Sequence, residues 1–365
     1  MSDTQRRRIL IMAGGTGGHV VPALSLAKAL SAQGVMVEWL GSPRGIENRL
    51  VPEAGIPLHT IAVSGLRGNG AKRWLAMPLN LSRAIGQARR IISELDPQLV
   101  VGLGGFASGP GGLAARLSGV PLVIHEQNAV AGLTNRVLSR LARKTYAAFP
   151  EAFGSRAEVI GNPVRDEIAA LGEAPRLASA MRERALRMLV VGGSLGAQAL
   201  NSRIPQALSE LPEALRPEVR HQAGRDKEAE TQANYRAAQV AAEVTPFIDD
   251  MAQAYDWADL VVCRAGALTV AELAAAAKPS LLIPFPHAVD DHQRVNAEVL
   301  VKADAAQCLV QAELTTRLLS ERLAELLHPE TLESMAANAR GAARLDATQR
   351  LAEGCMTIAF QGDTA

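Results

Sequence analysis

Short apolar runs along this chain end in glycine-rich turns and lead into stretches with helical spacing. Ile9 to Met12 runs into Gly14-Gly15-Thr16-Gly17-Gly18-His19 and then Val20-Val21-Pro22-Ala23-Leu24, which predicts a strand, a tight turn and a helix start. Pro22 suits the first helical turn, Leu26 and Leu30 continue an apolar stripe, and Gly34 fits the stop. Further strands are expected at Val35 to Leu40, Leu99 to Leu103 and Pro121 to His125, so the first half reads as a doubly wound α/β domain ending at Gly161-Asn162-Pro163-Val164-Arg165. After a polar, alanine-rich stretch to Arg187 the pattern returns. Met188 to Val191, Val219 to Gln222, Val244 to Ile248, Leu260 to Cys263 and Ser280 to Pro284 read as strands, and Gly192-Gly193-Ser194-Leu195-Gly196-Ala197-Gln198 follows the first of them. Helices are expected after Gly196, from Leu268 to Ala277 and through the tail. The division predicted is an N-terminal domain at 1–164, a second at 165–345, and a last helix, about 346–361, packing back on the first.

At 365 residues and 48% hydrophobic content the chain can bury two cores. Aromatics are only 3%, which leaves Leu, Val, Ile and Ala to fill them. The three cysteines show no CxxC spacing and leave one unpaired, as in a reducing compartment. Neither a secretory leader nor an apolar run of about 20 residues is expected from the pattern. The net charge of +1 conceals a split: residues 1–150 hold 17 Lys/Arg against 7 Asp/Glu, or +10, and the remainder 21 against 30, or −9.

Glycine turns that feed helix starts offer backbone N–H groups and a positive helix end to an anion, so phosphate or pyrophosphate is the first candidate ligand. A nicotinamide dinucleotide fits less well: the third glycine of its fingerprint is Val20 here, although Glu38 lies at a suitable distance downstream. No Gly-Lys-Ser/Thr follows either turn, which excludes a P-loop. His19, at a positive helix end, is favoured as neutral imidazole and suits a general base or a donor to an anion; closing the turn by a backbone bond is the alternative. A third glycine-dense turn spans Gly102 to Gly112. His125-Glu126-Gln127-Asn128 ends a strand where open α/β sheets bind ligands, with a structural network as the other reading for Glu126 and Gln127. Glu272, one turn into a helix after Cys263, can take two vicinal hydroxyls or simply face the helix dipole. His287, Asp291 and His292 lack a standard zinc spacing and suit sugar hydroxyls as well, so no metal is expected. From Arg67 to Arg90 six basic residues (Arg67, Lys72, Arg73, Arg83, Arg89, Arg90) interleave with Trp74, Leu75, Leu79 and other apolar residues, with no acid among them. That composition suits the surface of an anionic bilayer; nucleic acid is disfavoured by the lack of a stacking series, and a helix packed on its own domain is the bland alternative.

Taken in order and spacing, Gly14 to His19, Gly102 to Pro110, His125 to Asn128, Gly161 to Arg165, Gly192 to Gln198, Cys263 to Glu272 and Pro284 to Ala297 resemble the MurG family of bacterial peptidoglycan N-acetylglucosaminyltransferases, similar to glycosyltransferase family 28. The resemblance covers nearly the whole chain and departs from the family where His292 precedes Gln293 instead of a second glutamine. It implies a GT-B fold, two Rossmann-like domains with parallel sheets facing each other across a deep cleft. It also implies transfer of N-acetylglucosamine from UDP-N-acetylglucosamine to the C4 hydroxyl of lipid I, giving lipid II, with inversion and no cofactor. On the donor side it implicates Thr16, Gly17, Asn128, Arg165, Ser194, Phe247, Ile248, Leu268, Thr269, Glu272 and Gln293. For the acceptor pyrophosphate it implicates Gly14, Gly15, Gly18, His19, Gly104 and Gly105. His19 is the expected base and Glu126 the second candidate. A peripheral site on the cytoplasmic face of the bacterial inner membrane, through Arg67, Lys72, Arg73, Trp74, Leu75, Leu79 and Arg83, follows from the same resemblance, as do cell-wall synthesis and division proteins as partners. A 2-epimerase of the same nucleotide sugar, a nicotinamide-dependent dehydrogenase and a non-catalytic membrane adaptor are the competing readings.

Overall fold

The computed structural model describes residues 7–63, 71–174, 177–193, 196–286, 288 and 291–360, without the side chains of 71–77. The chain forms two units, Met1–Val164 with Leu345–Ala365, and Arg165–Arg344.

The first unit holds a seven-stranded parallel sheet in the order β3-β2-β1-β4-β5-β6-β7. Its strands are β1 (Arg8–Ala13), β2 (Met36–Gly41), β3 (Leu58–Thr60), β4 (Leu99–Gly104), β5 (Leu122–Glu126), β6 (Lys144–Ala147) and β7 (Glu158–Val159). The period of two along β1 sorts its side chains onto opposite faces. Ile9, Ile11 and Ala13 meet Val20, Ala23, Leu26 and Ala27 of the helix Gly17–Ala32, whereas Leu10 and Met12 meet Ala84, Ala88, Ala114 and Ala115 on the other side. Small helical residues let the helices lie close to the sheet, which is how a core poor in aromatics fills. The last helix, Ala347–Phe360, belongs to this unit and buries Leu351, Ala352 and Cys355 in the first of these clusters.

The second unit repeats the winding with six parallel strands in the order β10-β9-β8-β11-β12-β13: β8 (Arg187–Val191), β9 (Glu218–Gln222), β10 (Glu243–Thr245), β11 (Leu260–Cys263), β12 (Ser280–Leu282) and β13 (Ala306–Cys308). Strand β10 is shorter than the expected Val244 to Ile248 because Pro246 has no N–H to extend the ladder. The short strands β3, β6, β7 and β13 escape the sequence pattern, because two to four residues near a sheet margin carry little periodicity. In each sheet the order reverses beside the first strand, between β1 and β4 and between β8 and β11, so both glycine turns leave the carboxyl ends of strands at switch points, where such sheets bind ligands.

Two buried histidines tie the strand ends. His125, in β5, donates from Nε2 to the Gly161 carbonyl (2.9 Å) and accepts at Nδ1 from Gln127 (3.2 Å), while Asn162 donates to the Gln127 carbonyl (3.1 Å). His221, in β9, donates to Asn201 Oδ1 (3.0 Å) and accepts from the Tyr235 hydroxyl (2.8 Å). Burial lowers both pKa values, His125 to about 4 and His221 to about 3. An unfolded histidine takes up its proton near pH 6.5, so each group contributes stability above that pH and loses it as the pH falls towards its folded value, by about 1.4 kcal/mol per pH unit in the window. The unfolding free energy of the wild-type chain is therefore expected to drop between pH 6.5 and 4.5. In His221→Gln the slope for the second unit, followed by denaturant melts, should lose one proton's worth; an unchanged slope would contradict the assignment.

Candidate functional site

The helix Gly17–Ala32 begins at Thr16, whose backbone is extended and whose side chain makes no capping bond. The N–H groups of His19 and Val20 both reach the Thr16 carbonyl (3.2 Å), which leaves those of Gly17 and Gly18 at the helix start. The turns after β1 and β4 are in contact. A Cβ at Gly105 would lie 2.7 Å from the Gly14 nitrogen and one at Gly104 would lie 2.6 Å from His19 Cδ2, and both glycines have positive φ, so no other residue fits there without strain. Gly14, Gly18, His19, Gly104 and Gly105 are thus gathered at one place in the first unit.

Gly15 is not available as an anion donor: its N–H is bonded to the Glu47 carboxylate at 2.9 Å. Glu126, the second candidate for the base, is held in a network of hydrogen bonds. One of its oxygens accepts from the Asn128 N–H (3.0 Å) and side-chain amide (3.3 Å), and the other from the Gly132 N–H (3.3 Å) and Asn135 (2.9 Å). Four donors on a buried carboxylate stabilise its charge and fill its lone pairs, so the structural-network reading of Glu126 and Gln127 describes what the geometry does. Asn128 flanks this network with its side chain turned to Glu126. Glu38, which the dinucleotide reading needs for a ribose, is buried along β2 and pairs with His59 (2.9 Å) and Arg8 (3.7 Å).

In the second unit the helix Ala267–Ala275 follows β11 and starts at Gly266, with Leu268 and Thr269 partly exposed in its first turn. Glu272 is only 4% exposed. Its Oε1 accepts from Arg165 Nη2 at 2.8 Å and its Oε2 from the Tyr255 hydroxyl at 3.4 Å. Burial pushes the Glu272 carboxyl above its ordinary range against the pull of Arg165, and burial with the carboxylate alongside raises Tyr255 well above its own. Arg165 keeps a buried Nε–H with no partner among the described residues, while its side chain as a whole is 29% exposed. The structure thus joins two expected donor-side residues into one ion pair.

The turn after β8 is held by Gln222 at the end of β9. Its amide accepts from the Gly193 N–H (3.2 Å) and donates to the carbonyls of Gly193 (2.9 Å) and Pro246 (3.2 Å). Ser194 itself lies outside the described residues. Phe247 and Ile248 follow the end of β10, with Phe247 half exposed. Gln293, near the start of the helix His292–Lys302, accepts from the Phe285 N–H (2.9 Å), and no described residue takes its NH2 protons. Arg264 fixes the same loop by donating to the carbonyls of Ile283 (3.0 Å) and Pro284 (3.1 Å) and lying 5.6 Å from the Phe285 ring centre. Asp291 pairs with Arg294 (2.5 Å), and His287 is outside the described residues.

The helix Ala71–Leu95 carries most of the basic stretch. Arg67 and the side chains of Lys72, Arg73, Trp74 and Leu75 lie outside the described part. Its inner face is Ala84, Ala88 and Ile92, whereas Leu79 is 56% and Leu81 41% exposed, with Arg83 exposed beside them. No helix among the described residues is long and apolar enough to cross a membrane. Sequence reasoning passed over Glu47, Gln222 and Tyr255. Gln222 was visible as a polar strand end like Asn128, but nothing local marks Glu47 or Tyr255, whose roles arise from tertiary approach.

The profile of the glycosyltransferase family 28 N-terminal domain matches residues 9–147, and that of the family 28 C-terminal domain residues 187–351. A protein of Chromohalobacter salexigens named UDP-N-acetylglucosamine--N-acetylmuramyl-(pentapeptide) pyrophosphoryl-undecaprenol N-acetylglucosamine transferase is 69% identical over 98% of both chains. A Stutzerimonas stutzeri protein of the same name is 55% identical over 96% of this chain and 98% of its own. Among solved structures, Acinetobacter baumannii MurG superposes with a TM-score of 0.81 at 42% identity, covering 96% of this chain and 99% of that one. The kitacinnamycin glycosyltransferase, at 18% identity and a TM-score of 0.68, shares the fold alone. Two parallel-sheet units of this winding, the likeness to GT-B glycosyltransferases and these matches lead to one assignment: the chain is a member of glycosyltransferase family 28.

Proposed function

We propose that the chain transfers N-acetylglucosamine from UDP-N-acetylglucosamine to the C4 hydroxyl of the muramoyl sugar of lipid I, forming lipid II and UDP. The observation that carries this reading is the 69% identity, over 98% of both chains, to a relative bearing that activity as its name. The site residues support it. Glu272 offers its remaining lone pairs to the vicinal ribose hydroxyls, and Arg165, held at 2.8 Å with its side chain 29% exposed, brings its charge to the diphosphate. The helix Gln198–Glu210 has no acid in its first turn, so its positive end and the Gly192–Gly196 turn add to the field on the leaving group. Phe247 and Ile248 lie past the strand end, where their backbone groups can meet the uracil edge. The Gln293 amide, fixed by Phe285, donates to sugar hydroxyls.

In the reaction the C4 oxygen of the acceptor bonds to the anomeric carbon as the bond from that carbon to the UDP oxygen breaks, its electrons passing to the β-phosphate. One displacement from the opposite face inverts the anomeric centre and gives a β-1,4 linkage. The hydroxyl proton goes to His19, the base assigned here now that Glu126 is saturated. Charge on UDP is met by Arg165 and the helix end, so the chain's own residues supply the stabilisation that a divalent ion would otherwise bring.

The acceptor is lipid-linked, and the first 150 residues carry +10. We assign the exposed face of the helix Ala71–Leu95 to the cytoplasmic surface of the inner membrane, where cell-wall synthesis and division proteins would also be met. Each basic residue near an anionic surface is worth about 1 kcal/mol, and the exposed leucines add apolar contact.

Radiolabelled UDP-N-acetylglucosamine incubated with a lipid I analogue is expected to release UDP and label the lipid. Turnover of the nucleotide sugar without the lipid would point to the epimerase and overturn the reading. In the same assay Glu272→Gln should raise KM for the nucleotide sugar by about tenfold to a hundredfold, the effect of about 1.4–3 kcal/mol of charged hydrogen bonding, with a smaller change in kcat. Replacing Leu79 and Leu81 together by serine should weaken binding to anionic vesicles and slow turnover of a long-chain acceptor while sparing a short-chain one; unchanged vesicle binding would remove this face from the membrane contact.

A further inference from the structure

We propose that Glu47 is a positioning residue for the acceptor: its buried carboxylate draws the Gly15 N–H inward, so that the acceptor pyrophosphate is received by the N–H groups of Gly17 and Gly18 at the helix start. The inference rests on the reading that lipid I is the acceptor and that its pyrophosphate meets the turn after β1, and it moves Gly17 from the donor side, where the family resemblance put it, to the acceptor. Glu47 is fully buried, although it lies at the start of a short helix, Glu47–Glu53, after the sharp turn that follows β2. Besides Gly15, it accepts from the Ser42 N–H (3.2 Å) and hydroxyl (2.7 Å). All its partners among the described residues are neutral donors.

Three glycines clear the space for this carboxylate. A Cβ at Gly14 would lie 2.6 Å from its Oε1, one at Gly41 would lie 3.0 Å from its Cγ, and one at Gly45 would overlap it. The absence of side chains in these turns therefore serves an internal carboxylate as much as an external ligand. The consequence for the site is electrostatic and geometric. A fixed negative charge behind Gly14 and Gly15 opposes an anion placed directly on them. The helix start has no acidic residue in its first turn and no side-chain cap, and the Gly17 and Gly18 N–H groups remain there for the phosphates. With Gly15 held, those donors have a set direction before the acceptor arrives, so its binding need not order the turn.

Amide exchange in wild-type protein labelled with 15N-glycine reads this directly. The Gly15 amide is expected to exchange slowly in the free protein and to change little when a short-chain lipid I analogue is added, while Gly17 and Gly18 shift. Fast exchange at Gly15 that becomes slow on adding the analogue would overturn the proposal. Kinetically, Glu47→Gln faces one N–H donor with an NH2 group. The acceptor KM should rise about tenfold, while the donor KM and UDP affinity stay at wild-type values. A fall in kcat with both KM values unchanged would mean only less folded enzyme and would also overturn it. If the wild type did not use the lipid I analogue at all, the functional reading itself would fail, a result distinct from either of these.

Discussion

A carboxylate at the carboxyl end of a parallel sheet cannot stay buried and charged without donors, and the second unit meets that constraint with Arg165. The guanidinium lies 2.8 Å from Glu272, and the Tyr255 hydroxyl takes the other oxygen. Burial alone would favour the protonated acid, which could not accept two hydroxyls; the arginine opposes that shift. Because Arg165 spends one nitrogen on Glu272 and its side chain stays 29% exposed, the pair sets a carboxylate and a cation side by side. Ribose hydroxyls and a diphosphate have the same arrangement in reverse. Elsewhere in the unit Gln222 holds Gly193 and Arg264 holds the 283–285 loop.

The first unit uses the same winding for a different end. Its two buried carboxylates, Glu47 at a short helix start and Glu126 at the end of β5, are satisfied by three and four neutral donors within the unit. Glu126 has no lone-pair site left and Glu47 only one, too few for two vicinal hydroxyls. What remains at its first glycine turn is a helix start with two glycine N–H groups, beside a histidine packed on Gly104. That set suits an anion next to a hydroxyl that must lose its proton. The two units differ in how they satisfy their buried acids, since the sheets themselves share one strand order through their first six strands.

Much of this was legible in the sequence. Apolar runs followed by glycines located β1, β4, β8 and β11, and Glu272 and Arg165 could be placed in one site through the family resemblance. Element ends shifted by a residue or two, and β10 stopped early at a proline that the alternation alone did not weigh. The roles of Gly15 and Glu126 were not legible. A glycine N–H points wherever a distant carboxylate draws it, and Glu47 is 32 residues away along the chain. The polar run His125 to Asn128 suggested chemistry on composition, yet three of its four members are spent inside the fold, because a buried polar group must be paired before it can do anything else.

The central claim is that the nucleotide sits on the Arg165–Glu272 pair of the second unit. Photocrosslinking with a 5-azido analogue of UDP-N-acetylglucosamine, followed by mapping of the labelled peptide, tests it most directly. The label is expected between Arg165 and Arg344, near Phe247 and Ile248, and competed away by UDP. Label recovered instead from the peptide containing Gly14 to His19, and competed by UDP, would contradict the account.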